Sequence, residues 1–268
     1  MAEPGAVPCA DLVRQADPDM HLVAVFAPRP LRERLMVLIA FDIELAKAGR
    51  RASDPVISRM RLQWWRDVIE DASAGATPRD HEVAGPLASL IARFGMVSEP
   101  LQRMVSGYET ELYAPFSRER FETWINQRFH GLMSAAAVLA GSDHSGAIRT
   151  GARAMGLAFA IRNARSMAGQ GIYLLPFAGL DRASLARAET TDSMRAALTD
   201  LVGDTRGIPG IDRKLVPGAL KPVLRLGWRA GAVLDQAVNP GFEFRDLRLP
   251  EPGSGAVRLA VLTATGGF

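Results

Sequence analysis

Apolar residues recur at helical spacing along nearly the whole chain, and strand-like alternation is scarce; this periodicity restricts the fold more than any other feature. In "LRERLMVLIAFDIELAKAG" Leu31, Leu35, Leu38, Ile39 and Leu45 form one apolar stripe, with Pro30 in the first turn and Gly49 as a stop. Asp54-Pro55 reads as an N-cap followed by proline at the first helical position. The helix it opens, "VISRMRLQWWRDVIEDASAG", ends at Gly75 and points its two indoles in different directions, so both of its faces are expected to be covered. Further helices are expected over 83–94, 98–113, 117–140, 144–167 and 181–203, with Ser98, Ser117 and Asp181 at their starts. The Pro/Gly-rich stretch 204–222 is the best candidate for a hinge, and a helical "VLRLGWRAGAVLDQAV" follows it. Eight or more helices with short connections make an all-α protein: residues 1–17 as a flexible N-terminus, 18–268 as one helical domain.

The chemistry is narrowed mostly by exclusion. P-loop, GxSxG, HExxH and dinucleotide glycine motifs are missing. His21, His81, His130 and His144 are scattered. Cys9, the only cysteine, can form no disulfide within the chain and stands in a Pro/Gly/Ala-rich stretch without a fixed partner. Net charge is only +3, so nucleic acid is not an expected partner. The N-terminal sequence has no apolar signal core. The longest apolar run, 131–141, is about half of the ~20 residues a membrane span needs. The expected location is the cytoplasm, with peripheral contact at the inner membrane.

One segment stands out. Between His144 and Leu180 there is no acid, while Arg149, Arg153, Arg162 and Arg165 are all present. The order "HLVAVFAPRPLRERLMVLIAFDIELAKAG", "RMRLQWWRDVIEDA" and "GLAFAIRNARS…GIYLLP" resembles the squalene/phytoene synthase family from about residue 18 to about 185. It is most similar to the divergent branch that includes the mitochondrial assembly factor for respiratory complex I and its bacterial relatives.

The resemblance implies an isoprenoid-synthase-like helical bundle around a central cavity. The family's enzymes join two prenyl diphosphates head to head, using two aspartate-rich motifs that hold Mg²⁺. The stretch that matches the first motif is Ala46, Lys47, Ala48, Gly49 and Arg50, with no Asp. Asp42 and Glu44, two residues apart, point about 200° away from each other and cannot chelate one ion together. In the second motif Asn163 matches the Asn, and Arg165 lies within one position of the Arg. The Asp positions fall near Met167 and Gly171, neither of them acidic. Glu111 matches a further family acid.

The resemblance therefore implies a pseudoenzyme with no cofactor, acting in complex I assembly or binding a lipid or prenyl ligand. Its partners would be an apolar ligand in the cavity, or respiratory-complex subunits and assembly proteins. The alternative is a prenyltransferase of terpenoid biosynthesis with an atypical site, which would need Mg²⁺. Arg61, Arg66, Arg162, Asn163, Arg165 and Tyr173 are the candidate substrate or anion contacts, because guanidinium grips phosphate bidentately. Phe41, Met133, Ala137, Met155, Phe159 and Ile161 are candidate cavity residues.

Overall fold

The structure is a computed structural model, and it describes residues 6–50, 54–114, 116–142, 145–177, 181–207, 214–249 and 252–268. Helices account for all of the regular structure among them, and no strand occurs. The first is α1 (Ala6–Ala16), followed by α2 (Pro18–Val25) and the long α3 (Arg29–Arg50). The expectation of a flexible start is corrected for residues 6–16. Helix α1 lies along α3, and Cys9 and Val13 are fully buried. Short alternation of Pro, Gly and Ala hid a helix whose stability comes from that contact rather than from its own propensity.

Helix α4 (Pro55–Ser73) starts as its sequence dictates, with the Asp54 carboxylate accepting from the Val56 N–H at 2.8 Å and proline in the first turn. Trp65 is buried and Trp64 half-buried, the two rings edge to face at 4.8 Å, and both contact His81. Helices α5 (Ala84–Arg93), α6 (Ser98–Glu111), α7 (Arg118–Leu139) and α8 (Ser145–Ala168) match their sequence periods. Ser117 caps α7 by accepting from the Arg120 N–H at 3.2 Å.

Helix α7 stands at the centre of the bundle, against α6, α8 and α3. Small residues permit this closeness. A Cβ on Gly107 of α6 would meet the Arg128 backbone at 2.7 Å, and one on Gly156 of α8 would meet Phe129 at 2.8 Å.

The single helix expected over 181–203 is two: α9 (Arg182–Ala186) and α10 (Asp192–Gly207). The break is tertiary in origin. Ala188 takes φ 60°, its carbonyl accepts from the Arg245 N–H at 3.1 Å, and the Thr190 N–H is taken by the Glu243 carboxylate at 2.7 Å. Of the suggested hinge, residues 208–213 lie outside the described residues, as does His144. The C-terminal region is α11 (Lys221–Leu224), a 3-10 turn at Arg225–Gly227, α12 (Ala230–Ala237) packed on α8, and α13 (Pro252–Ala264) against α2. No helix among the described residues is long and apolar enough to cross a membrane.

Candidate functional site

Helices α2, α3, α7, α8 and α12, with the turn before α12, line a cavity of about 110 Å³. Helix α2 and its cap contribute Asp17, Asp19 and Met20; α3 contributes Ile39, Asp42 and Ile43; α7 contributes Arg128, Phe129 and Leu132. Met155, Ala158, Phe159 and Arg162 come from α8, and Leu226 to Ala230 with Val233 close the remaining side. The lining is an apolar body that also carries three carboxylates, Asp17, Asp19 and Asp42, and three guanidiniums, Arg128, Arg162 and Arg229.

Each charge has a defined neighbour. Arg229 donates to Asp19 at 2.6 Å and lies over the Trp228 ring. The Tyr108 hydroxyl, fully buried, donates to Asp42 at 2.9 Å. Asp17 caps α2 by accepting from the Met20 N–H at 3.0 Å. Burial pushes the Asp17 carboxyl above the ordinary carboxylate value. The Met20 N–H and the Arg162 charge pull it back, and Asp19 and Asp42 push it further up.

Deepest of all, Arg128 is 4% exposed and donates to Glu111, 5% exposed, at 2.7 Å. Its guanidinium lies 4.3 Å from the ring centres of both Tyr108 and Phe159. Burial opposes its charge, but Glu111, Tyr108 and Asp42 outweigh burial and hold it protonated, its pKa raised.

The expected contacts are only partly brought together. Arg162, Met155 and Phe159 line the cavity. Arg165 is exposed beyond it, and the Asn163 amide is spent on the Phe159 carbonyl of its own helix at 2.8 Å. Tyr173 lies under Arg182, 4.8 Å from its ring centre, and is no part of the lining. Arg61 is exposed on α4, and Arg66 forks onto Glu109 while bonding Gln102 and Ser106, so both are displaced from the cavity by their own helix face. Phe41, Met133, Ala137 and Ile161 are buried core without being cavity wall.

Sequence reasoning missed Asp17, Asp19, Asp42 and Arg229 as members of one site, and the role of Arg128. Only the "DPD" cap before α2 gave a local signal. Two of the acid-free arginines of α8 find counter-charges elsewhere: Arg153 pairs with Glu122 of α7, and Arg162 is attracted by Asp17.

Mg²⁺ demands near-ideal octahedral oxygen ligation. Among the described residues no three His, Cys, Asp or Glu side chains converge in a metal-binding group. Glu44, which follows Asp42 on α3, is turned to Lys47 at 2.6 Å. The cavity's carboxylates are engaged with a backbone N–H, a guanidinium and a phenol. The residues described here do not fit an Mg²⁺–diphosphate centre; the Arg50 side chain and residues 51–53 lie outside them.

Helical topology and cavity position define the class of protein. The squalene/phytoene synthase family model matches residues 13–238, and the chain belongs to that family. The fold is similar to that of squalene synthase HpnC from Alicyclobacillus acidocaldarius, with a TM-score of 0.73 over 88% of this chain and 95% of the other at 19% identity. A dehydrosqualene synthase solved in complex with a ligand gives 0.77 over 98% and 96% of the two chains at 14% identity. In sequence, the chain is 29% identical over 104 residues to NADH dehydrogenase (ubiquinone) complex I, assembly factor 6, of Homo sapiens. That match spans 39% of this chain and 31% of the human protein.

Proposed function

We propose that this protein keeps the squalene/phytoene synthase fold without its prenyl-transfer chemistry and serves in the assembly of respiratory complex I. The observation that carries the reading is the state of the cavity. Ionising an allylic diphosphate needs cations to neutralise the leaving group, whereas here each carboxylate at the rim already has a protein partner. Size argues the same way. Pockets that hold drug-sized ligands run from about 300 Å³ upward, and this cavity is about 110 Å³, narrowed by Phe129, Phe159, Trp228 and the buried Arg128. The likeness to assembly factor 6 supports the assembly role.

The test is genetic. Removing the gene from its host should lower complex I content and NADH:quinone oxidoreductase activity, and restoring it should recover both. Normal complex I in the deletion strain would end the assembly reading.

A further inference from the structure

The first two turns of α4 break the pattern of the bundle. Val56, Ile57 and Met60 are exposed at 50%, 44% and 69%. At i, i+1 and i+4 they form one continuous apolar surface. Tyr113, 50% exposed at the end of α6, is tied to it through Arg59, whose guanidinium reaches the phenol oxygen at 3.4 Å. Arg120 brackets the same tyrosine from α7, donating to its carbonyl at 3.2 Å. Single exposed apolar side chains need no explanation, but four adjacent ones do.

The charge around them is one-sided. From Pro55 to Arg66 there is no acid, and Arg59 and Arg61 are both exposed. Among the described residues, Asp54 is committed to the α4 cap, and Glu109, four residues before Tyr113, is held by Arg66. An apolar ridge with an aromatic residue at its edge and guanidiniums around it matches the layered chemistry of an anionic bilayer surface. Apolar side chains enter the acyl boundary, tyrosine sits at headgroup depth and arginines meet the phosphates.

We infer that the N-terminal end of α4, with Tyr113, is the face by which this protein docks peripherally on an anionic lipid surface. The contact is shallow and reversible, made by side chains already in place, and it leaves the cavity untouched. It holds or fails independently of the assembly role.

Co-sedimentation of the full-length protein with vesicles tests it directly. Binding is expected to vesicles of equal parts phosphatidylcholine and phosphatidylglycerol, weakening as salt rises, and to be much poorer with phosphatidylcholine alone. The pair Ile57→Asp/Met60→Asp should abolish it. Arg59→Gln/Arg61→Gln should weaken it by about fivefold per arginine. Because all four side chains are exposed, these variants should keep Tm within about 2 °C of the parent, separating lost docking from lost folding. Failure to bind either vesicle would overturn the inference. So would binding indifferent to Ile57→Asp/Met60→Asp, or a concentration-dependent dimer that those substitutions dissolve.

Discussion

At the scale of single residues, Arg128 and Glu111 carry the largest electrostatic stake. Removing one member of a buried pair leaves the other charge uncompensated, which costs about 3–5 kcal/mol. Arg128→Met should therefore lower Tm by roughly 10 °C, while Arg128→Met with Glu111→Gln should recover more than half of that loss. Thermal melts of the parent, the single and the double variant decide it. Asp17 behaves oppositely. Its carboxyl titrates above the ordinary value of 3.8, so the folded state binds the proton more tightly than the unfolded one. Stability from this group is then highest below that value and falls as pH rises through the folded pKa. Asp17→Asn keeps the α2 cap and removes the buried charge. It should raise Tm at neutral pH and flatten the decline as pH rises from 3.8 towards neutrality, as melts across that range would record. Little of this was legible in the sequence. Glu111 could be matched to a family acid, but its partner stands 17 residues away on another helix. Asp19 and Arg229 are 210 residues apart, and only folding reveals that they meet.

Elements were read far more successfully than sites, because helical periodicity is local information. Caps at Asp54, Ser117 and Asp181 were visible as residue types, and each side chain makes its capping hydrogen bond. The failures have tertiary causes. Helix α1 exists because α3 covers it, and the α9–α10 break is set by the partners of Ala188 and Thr190. Met60 stands one turn before Trp64 on α4, yet Trp64 is half-buried and Met60 is 69% exposed. Packing of α6 on α7 gives a clear prediction. Gly107→Ala puts a methyl against the Arg128 backbone and should cost about 1–3 kcal/mol. Gly203→Ala, in α10 with open space around it, should be stabilising by about 0.4–1 kcal/mol. Denaturant melts of the two variants should move in opposite directions.

The whole molecule sets a cavity lined by both apolar and charged side chains inside the helical architecture of its family. A bundle that aligns with squalene and dehydrosqualene synthases over most of its length surrounds a small cavity, whose carboxylates are engaged by a backbone N–H, a guanidinium and a phenol. Family membership was readable from the order of motifs across four helices and the loop after α8. The shape of the cavity was not, since Phe129 and Trp228 are ordinary core residues by type and only their convergence with Phe159 narrows the space. The central claim is that this fold persists without prenyl transfer. It is tested most directly by incubating the purified protein with farnesyl or geranylgeranyl diphosphate, Mg²⁺ and NADPH and quantifying C30 and C40 hydrocarbons. The account predicts no product above the protein-free control. Turnover that Arg162→Ala abolishes would contradict it.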